Sequence, residues 1–264
     1  MALPKKIVSA FDRYAKADTL AKQRLIWRGY GEPGSRKTSF GLEAPGPIVV
    51  FSFDKGLEGV VERYQNEKDI YVAEYDWSPG GFNKDEATRE SLDEFQNEAI
   101  GIRDKFIGDF THALEHARTL LIDKETDLWE LFRYAEFGAM SDAPRNYPLL
   151  NQRYRKYMNM PKATNVNFGL IQGMKEEWIT VKKADGGTKG TNTGKRIPVG
   201  FSELEGLVHL NLYHTGKSLN SWAIEVGKAR GPGGQDVAEQ TFPALSFTEF
   251  AMLVFPGTNE EDWQ

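Results

Sequence analysis

Apolar residues gather into short runs that recur along the chain, and these runs predict buried β-strands. Four of them are IVVFSF at residues 48–53, IYVAEY at residues 70–75, TLLI at residues 119–122 and VNFGLI at residues 166–171. Near-continuous apolar runs of this kind are typical of strands that are covered on both faces of a sheet. Two more strands are predicted at about residues 206–213 and 221–226, after a long polar stretch at residues 182–195.

Between these runs, apolar positions recur three or four residues apart, which predicts amphipathic helices. The predicted helices span residues 3–24, 38–43, 57–65, 84–118, 128–137, 149–158 and 247–254. Because strands alternate with helices, we expect an α/β fold with a mostly parallel central sheet that is flanked by helices. We divide the chain into an N-terminal helical extension at residues 1–24, a core at residues 25–245, and a C-terminal helix with an acidic tail at residues 246–264.

Composition limits the class of protein. The 264 residues include 33 Lys and Arg against 38 Asp and Glu, a formal net charge of −5, which argues against a surface that is basic throughout. The chain has no cysteine, so disulfides, thiolate metal sites and cysteine nucleophiles are excluded. No apolar run approaches the roughly 20 residues of a membrane-spanning helix, and the N-terminus lacks a secretory signal. We therefore expect a cytoplasmic protein with no membrane partner.

The most informative motif is the segment GEPGSRKT at residues 31–38, called here the 31–38 loop. It lies between a strand that begins near Leu25 and a predicted helix, and it matches the phosphate-binding template G-x-x-x-x-G-K-[ST] except at one position. In that template backbone N–H groups surround an anion, the Lys reaches the β- and γ-phosphates, and the last hydroxyl holds Mg²⁺. We predict ATP and Mg²⁺ as ligands. The predicted nucleotide-binding residues are Gly31, Gly34, Ser35, Arg36, Lys37, Thr38, Ser39 and Asp54.

The mismatched position is Arg36, where the template has glycine. Glycine is usual there because the backbone crowds the phosphates and adopts dihedral angles that side chains resist. Two interpretations follow. Either the Arg36 side chain points outward and the loop binds nucleotide, or the loop is impaired and hydrolysis is weak or absent.

Acidic residues follow two of the predicted strands. Asp123 ends the TLLI run in the Walker B pattern, about 85 residues after Thr38, and these two residues are the predicted Mg²⁺ ligands. Glu125 either polarises the attacking water or belongs to the first turn of the next helix, where acids are favoured. Asp54 either positions water or caps the helix after it.

Taken in order, these segments resemble RecA-like P-loop ATPases, in particular the phage-encoded ones that are linked to DNA recombination and single-strand annealing. The resemblance extends from about Leu25 to about Leu245. It rests on residues 31–39, 44–54, 119–123, 165–172, 175–178 and 226–230. It implies a RecA-like core, ATP hydrolysis, a homo-oligomeric ring or filament, and a location in the cytoplasm of an infected host cell.

The resemblance also implies roles for residues outside the loop. Gln172 is similar to the residue that senses the γ-phosphate, and Lys228 and Arg230 are similar to a basic pair that enters a neighbouring subunit's nucleotide site. The implied catalytic residues are Lys37, Asp123, Glu125, Gln172, Lys228 and Arg230. Residues 175–199 are similar to a mobile loop that contacts single-stranded DNA. Their Gly-rich, net-basic composition suits a phosphate backbone, and the alternative is a surface loop without a partner.

Residues 153–157 interleave basic residues with tyrosines, a pattern that suits stacking on nucleic-acid bases. However, Leu150, Tyr154 and Tyr157 also follow helical spacing. We favour the second interpretation, in which these residues form the apolar face of a helix.

Three hypotheses about function follow. The first is an ATP-hydrolysing RecA-like protein that acts on single-stranded DNA in phage recombination or replication. The second is a nucleotide-binding structural or loader module with little hydrolysis, suggested by Arg36 and by Gly56, which stands where the family often has an acid. The third is a P-loop kinase that acts on a small molecule.

Overall fold

The computed structural model describes residues 24–77, 88–138, 147–182, 187–216, 222–243 and 245–263. The strands are β1 (Ile26–Gly31), β2 (Ile48–Ser52), β3 (Ile70–Glu74), β4 (Thr119–Asp123), β5 (Asn167–Gln172), β6 (Met174–Lys182), β7 (Thr188–Pro198), β8 (Leu210–Thr215), β9 (Ala223–Ala229) and β10 (Thr241–Pro243). The α-helices are α1 (Lys37–Leu42), α2 (Arg89–His116), α3 (Glu125–Phe137), α4 (Tyr147–Asn159), α5 (Leu204–Leu207), α6 (Gly234–Val237) and α7 (Phe247–Val254). Short 3-10 helices are found at Val61–Arg63, Met160–Ala163 and Glu260–Trp263.

Among the described residues, eight strands form one sheet in the order β10-β9-β8-β1-β5-β4-β2-β3. The six strands from β8 to β3 are parallel, and β9 and β10 extend one edge with antiparallel pairs. The remaining two strands, β6 and β7, pair with each other as an antiparallel hairpin. The predicted α/β fold with a mostly parallel sheet is confirmed.

Helices cover both faces of this sheet. Successive side chains of a strand point to opposite faces, so neighbouring residues of one strand contact different helices. On one face, Ile26 of β1 belongs to an apolar cluster that includes residues of α2, α3 and α4. On the other face, the neighbouring Trp27 packs edge-on against Phe40 of α1 and Phe247 of α7, with ring centroids 5.9 Å and 5.2 Å away. The apolar runs of β2, β4 and β5 are therefore buried on both sides, whereas the run of β3, which lies at the edge of the sheet, is largely exposed.

The C-terminal helix α7 has the predicted bounds and packs on the central sheet. Ser246 and Glu249 form a capping box, in which each side chain bonds the other residue's backbone N–H. Phe247, Phe250 and Val254 are fully buried in the same apolar cluster as Trp27. Burial of this face fixes the helix against the strands that carry the 31–38 loop.

Two predicted elements are wrong. Residues 57–65 form turns with a short 3-10 helix rather than an α-helix, and Gly59, with φ of 75°, interrupts the helical backbone. The loop expected at residues 175–199 is also wrong, because residues 174–182 and 188–198 pair as the β6–β7 hairpin, whose strands contain Thr, Val, Ile and Trp residues that favour extended backbone. The helix predicted at residues 3–24 lies outside the described residues.

Helix α4 settles the interpretation of the Arg- and Tyr-containing segment. Tyr154 is fully buried, and its ring lies 5.0 Å from that of Phe132. Arg153 and Arg155 lie at the surface in ion pairs with Glu136 and Glu203. The apolar-face interpretation is therefore confirmed. Among the described helices, none is long and apolar enough to cross a bilayer.

Candidate functional site

The carboxyl ends of four parallel strands meet at one edge of the sheet. In the strand register, Tyr30 lies beside Gln172, Ile171 beside Asp123, and Asp123 beside Ser52. A cavity of about 820 Å³ opens at this edge, and we call it the loop cavity. Its lining includes every residue of the 31–38 loop together with Ser39, Asp54, Asp123 and Gln172. Ligand sites of α/β sheets are typically found at such an edge.

Backbone crowding explains the first glycine of the loop. Gly31 ends β1 with φ of 154°, and a Cβ atom there would lie 2.3 Å from the carbonyl oxygen of His214 on the neighbouring strand β8. A side chain is therefore excluded at this position. The chain then turns, with the Ser35 N–H donating to the Glu32 carbonyl at 3.2 Å, and enters α1 at Lys37.

Arg36 adopts the backbone conformation for which the template uses glycine. Its φ is 65° and its ψ is 20°, in the left-handed region that costs an ordinary residue about 1 kcal/mol. Its guanidinium lies 4.7 Å from the ring centroid of Trp222 and 3.5 Å from the carboxylate of Glu43. Neither partner is among the described residues that line the loop cavity. The side chain therefore points outward, as in the first of the two interpretations.

The Lys37 ammonium lies inside the curve of the loop. Its Nζ atom donates to the carbonyl oxygens of Gly31 at 3.0 Å and Glu32 at 2.8 Å, and to Ser35 Oγ at 3.4 Å. Burial lowers the pKa of Lys37, while the nearby Asp123 carboxylate acts in the opposite direction. A cation surrounded by weak neutral acceptors is well placed to bind an incoming anion.

The two predicted metal ligands are in direct contact. Thr38 Oγ1 donates to Asp123 Oδ2 at 2.6 Å, although the residues are far apart in the sequence. Burial raises the pKa of Asp123 to about 6, and the hydroxyl of Thr38 opposes this increase. Mg²⁺ prefers oxygen ligands and usually takes only one or two carboxylates, with phosphates and water completing its shell. Thr38 and Asp123 fit that requirement.

Asp54 and a second carboxylate lie beside this pair. Asp54 accepts a hydrogen bond from the Gly56 N–H at 2.9 Å and forms an ion pair of 2.9 Å with Lys124. It therefore caps a turn rather than a helix, while still lining the loop cavity. Asp127 also lines the cavity, and burial raises its pKa to about 6. Asp127 is not among the predicted site residues; its position four residues after Asp123 is the signal that indicates it.

Glu125 lies behind the cavity wall. It is fully buried at the start of α3, and its carboxylate accepts hydrogen bonds from Gln172 Nε2 at 2.6 Å, Tyr154 Oη at 2.8 Å and the Phe201 N–H at 3.4 Å. Burial raises the pKa of Glu125 to about 7. Of the two residues, Gln172 lines the cavity and Glu125 does not. This geometry favours the interpretation of Glu125 as the start of a helix.

Lys228 and Arg230 lie far from the loop on the same chain. Strand β9 runs antiparallel to β8, and Ala229 pairs with Leu210 at the beginning of β8. The basic pair is therefore at the edge of the sheet opposite the loop cavity, and both residues are exposed. Arg230 Nη1 donates to the Gly206 carbonyl at 2.9 Å. A role at a neighbouring subunit's nucleotide site remains a prediction.

The hairpin contributes a residue that is not among those predicted for this site. Arg196 of β7 lines the loop cavity and forms an ion pair with Glu32 of the loop. In the sequence it is one of several basic residues, and only the pairing of β6 with β7 brings it to the cavity. The hairpin also exposes apolar side chains, with Trp178 63% and Ile179 47% exposed.

No protein-family model matches the chain, and no curated protein sequence matches it. The class is therefore defined by the fold and the site. The protein is an α/β protein with a large, mostly parallel sheet flanked by helices, compatible with P-loop and Rossmann-like folds. A loop with a partly buried lysine and a hydroxyl–carboxylate pair lies at the carboxyl edge of this sheet.

Proposed function

We propose that this protein is an ATPase with a RecA-like core that acts on single-stranded DNA during phage recombination or replication. The observation that carries the proposal is the 2.6 Å contact between Thr38 and Asp123, beside the Lys37 ammonium, in the loop cavity. Phosphoryl transfer requires a loop that binds phosphate, a cation, and oxygen atoms that hold the metal.

The size and charge of the cavity support a nucleoside triphosphate as ligand. A volume of about 820 Å³ is within the range of small-molecule sites. The loop enters α1 at Lys37, and the N–H groups at the start of a helix are the donors that commonly bind phosphates. When bound, Mg²⁺ held by Thr38 and Asp123 would neutralise charge on the phosphate oxygens.

Hydrolysis would use residues that line the same cavity. In this reaction a water oxygen bonds to the γ-phosphorus, the bond to the β–γ bridging oxygen breaks, and ADP and phosphate leave. Lys37 stabilises the negative charge that develops on the phosphate oxygens. The Gln172 amide and the carboxylates of Asp54 and Asp127 lie on the cavity wall, where they can orient the attacking water.

The position of Gln172 supports a RecA-like core. It ends β5, which lies between β1, the strand that leads into the loop, and β4, which carries Asp123. A side chain at this point contacts the loop cavity on one side and is followed directly by the hairpin on the other. This is the arrangement that the resemblance requires of a residue that senses the γ-phosphate and transmits its state.

The hairpin supports a nucleic-acid partner. Trp178 is the most exposed large apolar side chain of the described residues, and the exposed cations Lys175, Lys182, Lys189 and Lys195 lie on the same two strands. Aromatic side chains stack on bases of any sequence while cations neutralise the backbone. Unpaired bases are accessible to such stacking only in single strands, so we propose single-stranded DNA as the partner. A ring or filament would place Lys228 and Arg230 at a neighbouring loop cavity.

A second candidate function is a nucleotide-binding structural or loader module with little hydrolysis. The observation that favours it is the burial of Glu125, whose carboxylate is engaged by Gln172 and Tyr154 outside the cavity. If activation of water requires Glu125, the site would bind Mg²⁺-ATP and release little phosphate.

The experiment that separates these candidates measures ATP turnover and ATP binding, with and without oligo-dT. We expect turnover that is stimulated by oligo-dT and abolished in Lys37→Ala. The control is Lys105→Ala, which removes an exposed lysine of α2 that pairs with Asp109. Binding without turnover would support the second candidate, and equal nucleotide binding by the wild type and Lys37→Ala would refute both.

A further inference from the structure

Arg196 occupies an unusual position for a residue of an exposed hairpin. Its guanidinium forms an ion pair with Glu32, the second residue of the 31–38 loop, and both side chains line the loop cavity. The exposed fractions of these side chains are 45% and 30%, so a ligand in the cavity can approach both of them. The cavity thus has an exposed cation on the side that faces the hairpin.

The root of the hairpin is fixed next to the predicted metal site. Thr126 Oγ1 donates to the Val199 carbonyl at 2.7 Å and accepts from the Gly173 N–H at 3.1 Å. The Val199 N–H in turn donates to the Gly173 carbonyl at 2.9 Å. Thr126 follows Asp123 by three positions at the start of α3, so these bonds hold the hairpin root against the strand end that carries Asp123. The backbone of Arg196, three residues before Val199, is therefore held close to the cavity.

Glu32 is an unfavourable residue in a loop that binds phosphates. Its carboxylate lies on the cavity wall, where it repels any polyphosphate that enters. Arg196 offsets this charge. A guanidinium binds phosphate at least as well as it binds a carboxylate, because its planar set of N–H donors fits the oxygens of both groups. A triphosphate in the cavity therefore competes with Glu32 for the same guanidinium.

We propose that Arg196 binds the terminal phosphate of a nucleoside triphosphate from the same chain, and that Glu32 is the carboxylate it exchanges for that phosphate. This inference rests on the proposed nucleotide-binding function. The exchange gives the site a preference for triphosphate over diphosphate without a neighbouring subunit. It also connects the cavity to the hairpin, because Arg196 pairs with Glu176 on β6, two residues from the exposed Trp178.

The test compares the affinities of ADP and of a non-hydrolysable ATP analogue, each with Mg²⁺, measured by calorimetry. The informative pair of proteins is Glu32→Gln and the double variant Glu32→Gln/Arg196→Gln. Because Glu32→Gln removes the carboxylate that pairs with Arg196, the difference in affinity between these two proteins reports only on the contact of Arg196 with the nucleotide. We expect the double variant to bind the ATP analogue about 10-fold more weakly than Glu32→Gln, and to bind ADP within about 2-fold.

A different result would assign Arg196 only the role of neutralising Glu32. In that case Arg196→Gln alone weakens ADP and the ATP analogue by the same factor, and Glu32→Gln restores both affinities, which would overturn the inference. The matched control is Arg153→Gln, which removes an arginine from another exposed ion pair, that with Glu136. If the wild type binds neither nucleotide, the proposed function itself fails, an outcome distinct from equal shifts in the two affinities.

Discussion

Replacing Asp123 with asparagine should make the protein more stable at neutral pH while abolishing its metal-dependent activity. The carboxylate is 5% exposed, and burial raises its pKa to about 6. An ionised carboxylate in this position is held at a cost to the folded state, as is usual for groups retained for chemistry. Asparagine has nearly the same shape, and its carbonyl oxygen still accepts the hydrogen bond from Thr38.

The size of the effect follows from the two pKa values. A carboxyl whose pKa rises from 3.8 in the unfolded chain to about 6 in the fold loses about 3 kcal/mol of stability once it is ionised in both states. The neutral carboxyl group contributes its full stabilisation at a pH below the pKa of the unfolded state. This contribution is lost as the pH rises through the pKa of the folded state. We therefore expect Asp123→Asn to gain about 3 kcal/mol at pH 7.5 and about 1 kcal/mol at pH 4.5.

Urea denaturation followed by circular dichroism measures this difference at the two pH values. Asp104→Asn is the control, because its side chain is 59% exposed and its loss should change the free energy of unfolding by less than about 0.5 kcal/mol. Mg²⁺-ATP should raise the midpoint of the wild type but not that of Asp123→Asn. A less stable Asp123→Asn at pH 7.5, or a gain that does not depend on pH, would refute the reasoning.

Three further predictions concern other parts of the site. Gly31→Ala should lower the free energy of unfolding by roughly 3 kcal/mol, because its Cβ would lie 2.3 Å from a carbonyl oxygen. Gly34→Ala, with φ of 78° and no atom within 4 Å of the new Cβ, should cost only about 1 kcal/mol, and equal losses would contradict this account. Trp178→Ala should weaken oligo-dT binding about 10-fold by fluorescence anisotropy with an unchanged melting temperature, and unchanged affinity would exclude it from the interface. Arg36→Gly should change ADP affinity by less than about 3-fold by calorimetry, since its guanidinium contacts an aromatic ring outside the cavity, and a larger change would place that side chain at the phosphates.

Local features of the fold were predictable because they depend on residues that lie close together in the sequence. The strands β2, β3, β4 and β5 agree with the predicted runs to within one residue at each end, since short apolar runs bounded by polar residues favour strands. Helix α7 has its predicted bounds, set by the Ser246 cap. The segment at residues 57–65 failed because its spacing is helical while the backbone of Gly59 is not.

The hairpin illustrates the limit of composition. Residues 175–199 were expected to form a loop, whereas residues 174–182 pair with residues 188–198 as β6 and β7. Backbone hydrogen bonds between two strands depend on their register, which composition does not encode. That pairing also decides which cation reaches the loop cavity, since Arg196 lines it whereas its neighbour Lys195 does not.

By itself the sequence determined the α/β class, the 31–38 loop and the acid that ends the TLLI strand. Each of these follows from residue type and spacing along a short segment. Only the tertiary structure decided that Thr38 and Asp123 lie 2.6 Å apart, that Arg36 points outward, and that Glu125 is buried behind Gln172. These outcomes depend on the order of strands in the sheet and on which side chains are removed from water. Both are set by contacts between segments that are distant in the sequence.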